Sequence, residues 1–446
     1  MKGNDMKKNI LLFGLAVCCL SGQAQEVWTL RRCIDYAIEH NIDIRKSANV
    51  AEQDAVNVNT AKWARLPNLN GGAGQNWYWG RAQVPMKDAD GREYTGYVNT
   101  NSNSTSLQLN ASVPLFTGFE IPHQYALSKL NLQAALSDLE KAKEDVSVNI
   151  ASSYLQVLYN KELHEVALGQ VKLSKEQCAR IVRMEELGKA SLAEVAEAKS
   201  RVAQDEMSAV QAENNYRLAL LDLSQLIELP TPEGFTLPTP DTDIKLNPLS
   251  PPDEIYQYAV GNKAVVQAAQ YRLEGSKHNI RIAESALYPQ LTLNGSLGTS
   301  YQSTLSDNFN SQMKNNFNKY VGLSLNVPIF NRWATRNRIR TAKLQQENYS
   351  LQLDNVKKGL YKEIQQAWYN AIAADSKYNS SVVATNASEE SFKLMSEKYE
   401  NGKATAVEYN EAKQNLFKTQ SGELQAKYEY LFRTKLLDFY KGIPLE

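Results

Sequence analysis

The chain repeats itself once, and the repeat is what most limits its fold. Tyr36-Ala37-Ile38 recurs as Tyr258-Ala259-Val260, and Leu66-Pro67-Asn68-Leu69 recurs as Tyr288-Pro289-Gln290-Leu291, both at an offset of 222. The offset then becomes 214 and stays there. Val113-Pro114-Leu115-Phe116 matches Val327-Pro328-Ile329-Phe330, Ile150 and Tyr154 match Ile364 and Trp368, and Gly188-Lys189-Ala190-Ser191 matches Gly402-Lys403-Ala404-Thr405. Constant offsets of this kind mean two copies of one supersecondary unit. The single slip, of eight residues, falls between Pro67 and Pro114, where a longer first-copy loop absorbs it. We read residues 25–228 as the first repeat and 253–446 as the second. The intervening 229–252, with seven prolines, reads as an extended surface connector.

Each copy has the order helix, two strands, long helix, turn, long helix. Leu353, Val356, Leu360, Ile364, Trp368 and Ile372 form one apolar stripe at steps of three and four, and Phe417, Leu424, Tyr428 and Leu431 form another. From Gly118 to Leu187 there is no proline after Pro122. One helix of that span would be near 100 Å long at about 1.5 Å per residue. Such length implies coiled-coil-like packing rather than a globular helix.

The strands alternate. Leu107, Leu109, Ala111, Val113 and Leu115 interleave with Gln108, Asn110 and Ser112; Val321, Leu323, Leu325 and Val327 interleave with Gly322, Ser324 and Asn326. Strands are expected at about 68–79, 104–115, 290–301 and 320–329, each long enough to cross an outer membrane at a tilt. Pro67, Pro114, Pro289 and Pro328 mark their borders. Trp77, Tyr78, Trp79, Tyr301 and Tyr320 suit an aromatic girdle near the distal ends. The polar stretches Gly80 to Asn103 and Gln302 to Lys319 read as exposed loops.

The N-terminus fits a secretory leader: Lys7 and Lys8, an apolar run from Ile10 to Leu20, and small residues at Gly22 and Ala24. Residues 1–24 are read as a signal peptide. Cys18 and Cys19 lie nearby, but Val17 and Cys18 precede them where lipid attachment wants a small residue, so lipidation is not expected. No later segment has the 18 consecutive apolar residues of a spanning helix. Entry into a membrane must therefore be as strands of a closed barrel. With 49 basic and 49 acidic residues, charge gives no reason to expect nucleic acid. Cys33 and Cys178 read as unpaired small hydrophobes. His40, His123, His164 and His278 show no metal-ligand spacing, and no Gly-rich phosphate loop is present. No catalytic, cofactor or metal site is expected, so the chain does not read as an enzyme.

Four strands cannot close a barrel, and an open sheet in lipid leaves edge groups unpaired. Two chains would supply eight strands and three would supply twelve. Eight are filled by side chains, so a pore favours three. The alternative at this point is a water-soluble sheet half-buried on the chain's own helices.

In the order of these parts, their duplication and the closing segment Tyr430-Leu431-Phe432-Arg433 through Gly442, the chain resembles the TolC family of outer membrane efflux proteins. The resemblance spans Trp28 to about Leu445. It implies a mainly α fold with a membrane β-barrel, in which each chain of a homotrimer gives four strands to a twelve-stranded barrel above a long helical tunnel. It also implies a tripartite efflux or type I secretion system in a Gram-negative outer membrane, with a periplasmic adaptor and an inner-membrane pump as partners. The two turns have a structural reading of their own. Gly188 and Gly402 suit the left-handed end of a helix, and Ser191 and Thr405 cap the next. Glu194 and Glu408 complete capping boxes. The resemblance adds that Gly188, Lys189, Ser191, Gly402, Lys403 and Thr405 form adaptor-docking tips. It also places Glu408 and Glu411, with first-copy counterparts Glu194 and Glu197, at the periplasmic aperture, where the family more often carries Asp. A coiled-coil surface stalk, such as an adhesin, is the competing function; it would not need membrane-length hairpins.

Overall fold

The structure, a computed structural model, describes residues 28–230, 235–238 and 250–445. The expected signal peptide, with Cys18 and Cys19, and most of the proline-rich connector lie outside these residues. The first repeat comprises α1 (Leu30–His40), α2 (Ile42–Trp63), β1 (Asn68–Lys87), β2 (Glu93–Phe116), α3 (Glu120–Glu186) and α4 (Leu192–Leu226). The second comprises α5 (Pro252–Asn262), α6 (Ala264–Ser285), β3 (Gln290–Gln302), α7 (Phe309–Asn315), β4 (Asn318–Asn326), α8 (Ala334–Glu400) and α9 (Ala406–Tyr440). Helix lengths agree pairwise: 11 residues for α1 and α5, 22 for α2 and α6, 67 for α3 and α8, 35 for α4 and α9. Pro122 is tolerated because it sits in the first turn of α3, where its missing N–H has no partner to lose.

The residues form two compact units. One joins Trp28–Val50, Leu136–Ala268 and Asp354 onward. Its largest core packs Cys33, Ile34 and Ala37 of α1 against Ile150, Val157 and Leu158 of α3, Leu223 of α4 and Tyr428 of α9. Phe235 and Leu237 are buried in this core, and Trp28 N–H donates to the Thr236 carbonyl at 3.0 Å. The connector is thus not purely a surface strap; its two apolar side chains are worth more inside than in water. Along α8 the buried positions are Leu353, Leu360 and Ile364, then Ala367, Ala371 and Ala374. The stripe drifts off Ile372, which is exposed. Small alanines let neighbouring helices approach there, and a 3.6-residue turn does not hold a fixed seven-residue line.

The second unit joins Ala51–Ala135 and Ala269–Leu353. Its four strands form one antiparallel sheet in the order β1-β2-β3-β4. Register sorts the side chains cleanly. Leu69, Leu109, Leu297 and their row neighbours Ala111, Leu107, Leu293 and Leu323 share one face; Asn70, Asn110, Ser296 and Gln108 share the other. The leucine face is uncovered, with Leu69 63%, Val321 77% and Leu325 63% exposed. The water-soluble alternative required that face to rest on the chain's own helices, and it does not.

Several strand expectations change. β1 runs on to Lys87 and β2 starts at Glu93, so what read as a long polar loop is mostly paired strand closed by a short turn. Its Val84, Met86, Tyr94 and Val98 are too scattered among Asn, Thr, Gly and charged residues to give a strand signal, yet backbone pairing does not need one. β4 stops at Asn326, before Pro328, and the loop between β3 and β4 holds the helix α7. Pro114 lies within β2, next to a register shift between Pro114 and Phe116 that accommodates its missing donor. Of the aromatics expected in a girdle, Trp77, Trp79 and Tyr301 share the leucine face. Tyr78 and Tyr320 lie on the polar face, one residue out of phase.

Strand passes to helix through the same corner twice. Gly118 and Phe119 have φ of 64° and 69°; Arg332 and Trp333, 214 residues on, have 55° and 63°. Left-handed backbone at three non-glycine residues is strained, and its recurrence shows that the corner is built in. A Cβ on Gly118 would run into the Ser285 carbonyl and approach Tyr288.

Candidate functional site

Both helical hairpins end in the same hydrogen-bonded turn. After α3, Gly188 N–H donates to Glu185 O and Lys189 N–H to Met184 O, both at 2.8 Å; after α8, Gly402 N–H reaches Tyr399 O at 3.1 Å and Lys403 N–H reaches Lys398 O at 2.8 Å. This pairing satisfies the last carbonyls of a helix, and it needs the φ of +70° and +69° found at Gly188 and Gly402. The next helices open with complete capping boxes. Ser191 N–H donates to Glu194 Oε2 at 2.6 Å and Thr405 N–H to Glu408 Oε2 at 2.7 Å, while Glu194 and Glu408 N–H return to the hydroxyls at 3.3 Å. These backbone bonds hold both carboxyls below the usual carboxylate range.

Each capping glutamate is therefore turned back on its own helix start. Glu411, one turn on, is exposed and is not used in a cap. The first-repeat acids have different surroundings. Glu194, although held in its cap, and Glu197 line a cleft with Ser174, Arg201, Tyr409 and Lys413, whose far wall is the second hairpin of the same chain. The duplication is thus not equivalent at the acids: sequence alignment places four in one class, and the structure separates two.

Three features of the tips had no place in the sequence reading. Leu187, Leu192 and Val407 are large apolar side chains left 66%, 74% and 70% exposed at the turns. Next, Lys413 of α9 is buried, and its ammonium donates to Asp205 Oδ2 of α4 at 2.7 Å and to Ser174 Oγ of α3. Removing one partner of such a buried pair costs about 3–5 kcal/mol. A signal was available: Lys413 occupies a core position between Tyr409 and Leu416, where an ammonium needs an acid. Lastly, Arg180 of α3 pairs with Glu400 at 3.6 Å and lies 5.0 Å over the Tyr399 ring. Arg180 and Lys413 both tie the first hairpin to the second.

The histidines are not all isolated. His123 Nδ1 of α3 and His278 Nδ1 of α6 lie 3.1 Å apart, brought together across 155 residues of sequence. Burial, with His278 and Arg281 nearby, holds His123 below the ordinary histidine range. Among the described residues there is no group of three or more His, Cys, Asp or Glu placed to hold a metal, and no helix long and apolar enough to cross a membrane. Cys33 and Cys178 are free.

The sequence profile of outer membrane efflux proteins matches residues 33–227 and 255–439, one segment per repeat. The chain belongs to the outer membrane efflux protein family. This efflux protein is similar to the outer membrane protein TolC of Escherichia coli, 24% identical over 437 residues that cover 96% of this chain and 84% of the relative. It is also similar to the alkaline protease secretion protein AprF of Pseudomonas aeruginosa, 21% identical over 79% of this chain and 71% of the relative. Among solved structures, the Campylobacter jejuni CmeC outer membrane channel superposes with a TM-score of 0.77 at 19% identity, covering 94% of this chain and 86% of that one. The open state of the Neisseria gonorrhoeae MtrE channel gives 0.73 at 20% identity, covering 93% and 88%. AprF is a secretion protein, and CmeC and MtrE are outer membrane channels. The efflux protein is accordingly an outer-membrane channel of a Gram-negative cell, and the stalk reading is set aside.

Proposed function

We propose that three copies of this chain close a twelve-stranded barrel in the outer membrane and continue as a periplasmic duct for small molecules. One observation carries the reading. The sheet has an uncovered leucine face and two outer strands, β1 and β4, without partners on their far edges among the described residues. In lipid the face is satisfied, and the edges are satisfied only if β1 of one copy pairs β4 of the next. The face opposite the leucines, with Asn, Ser, Thr and Gln and no charge, would line a wet and permissive lumen.

The tips are the proposed docking surface for a periplasmic adaptor that leads to an inner-membrane pump. Gly188, Lys189, Ser191, Gly402, Lys403 and Thr405 give each turn its shape, and Leu187, Leu192 and Val407 supply the apolar contacts that such a partner would cover. Glu411 is the proposed aperture residue, with Glu194 and Glu408 held in their caps and Glu197 lining the cleft beside the second hairpin. Three Glu411 carboxylates around one opening would favour cations.

Planar-bilayer recording tests the assembly and the aperture together. The purified protein should run as a heat-labile trimer and conduct with cation preference, and Glu411→Lys should move that preference toward anions. A water-soluble monomer would overturn the assembly, and unchanged selectivity in the variant would remove Glu411 from the aperture.

A further inference from the structure

Strands β1 and β2 outlast the rest of the sheet. β3 last pairs at Gln302↔Ser104, where Asn103 and Ser303 are also clasped, Ser303 N–H donating to Asn103 O at 2.9 Å. From Trp77↔Asn103 to Lys87↔Glu93, β1 and β2 continue alone as a two-stranded ribbon, roughly 35 Å long at about 3.3 Å per residue.

Within this ribbon, just past Trp79, the polarity of the two faces exchanges. Below it, the face shared by Leu69, Leu109 and Ala73 is apolar. Above, the same face carries Arg81, Gln83, Lys87, Glu93, Thr95 and Asn99 with one aromatic, Tyr97, whose ring lies 5.8 Å under Arg81, and Lys87 is paired to Glu93 at 3.4 Å. The other face does the reverse. Asn70, Asn76, Ser104 and Ser106 give way to Val84, Val98, Met86 and Tyr94. Met86 lies across Gly96, whose missing side chain makes room for its sulfur. Gly80, with φ +152°, sits just above the point where β3 leaves, so the backbone there has a freedom that other residues lack.

A lone two-stranded ribbon is marginal in water, and one with an apolar face needs a cover. The apolar face continues the one that lines the proposed lumen, so around a threefold axis it points at its own counterparts. Resting on the trimer reading, we propose that the three ribbons pack their Val84–Met86–Tyr94–Val98 faces together over the outer mouth, each copy covering the others and narrowing the exit. The occupant of this face is a second copy of the same chain.

Site-specific cross-linking decides the matter. In a background with Cys33 and Cys178 replaced by serine, Val84→Cys or Val98→Cys should link copies into covalent dimers and trimers with a short bis-maleimide, whereas Gln83→Cys and Asn99→Cys, on the outward face, should not. Replacing 81–99 by a two-residue turn should raise single-channel conductance. Equal linking from both faces, linking from neither, attachment to a protein of another mass, or an unchanged conductance after the truncation would overturn the proposal. The heat-labile trimer band of each variant separates the two ideas: its presence with no Val84 or Val98 links strikes the ribbon contact alone, and its absence strikes the assembly and the contact together.

Discussion

Arg332 and Gly118 occupy one corner in two repeats and answer it differently. Both lie in the left-handed region, glycine at no steric cost and arginine at about 1–2 kcal/mol. Gly118 has a second constraint, because a methyl there would meet the Ser285 backbone, while Arg332 is exposed. Gly118→Ala should therefore lower the thermal midpoint, and Arg332→Gly should leave it unchanged or raise it. Circular-dichroism melts in detergent would show this, and equal effects would mean that the two corners are not under the same strain. None of this was visible in the sequence, where only the glycine carries a mark. The glutamates at the tips were better marked. Ser191 and Glu194, like Thr405 and Glu408, stand at capping distance, and the boxes form. What could not be read was their fate: a capping acid is not free to face an opening. The depressed carboxyl of Glu408 stabilises the fold above its unfolded range near pH 4.5 and ceases to as pH falls through its lower folded value. The drop in melting temperature between pH 5 and pH 3 should be smaller in Glu408→Gln than in the parent; an equal drop would mean that the cap does not respond to acid.

The elements were legible to the extent that they bury something. Helices α3, α4, α8 and α9 announce themselves by apolar steps of three and four and by the lack of internal proline, and the strands within the leucine face by strict alternation. Signals failed where burial was absent. The outer halves of β1 and β2 scatter Val84, Met86, Tyr94 and Val98 among Asn, Thr, Gly and charged residues and are held by backbone pairing, so they looked like loop. α7 is only seven residues, opened by an Asn308 cap. Connections between elements were hidden as well, since Lys413 meets Asp205 across 208 residues and His123 meets His278 across 155. Length itself was preserved in the helices and lost in the strands. Paired helices that must end level with one another cannot change singly, whereas a hairpin rising clear of its neighbours has no such partner.

For the molecule as a whole, the leucine face makes the sharpest demand. Leu109→Arg, at the middle of β2 and pointing to the proposed lipid side, should cost about 2–4 kcal/mol and deplete the proposed outer-membrane trimer. Ser106→Arg, on the opposite face, should leave the trimer in place and alter its conductance. Membrane fractionation and bilayer recording together would reveal the difference, and equal depletion would mean that the two faces do not see different surroundings. The unpaired edges of β1 and β4 also set a clock. The helical unit has a core of its own within one chain. On the proposed trimer the sheet has no such recourse, and its last hydrogen bonds would wait for two other chains to arrive. Maturation of the channel then becomes a collision problem: it slows steeply as the newly exported chain grows scarce, and an excess of unassembled chains exposes adhesive strand borders to one another in the periplasm.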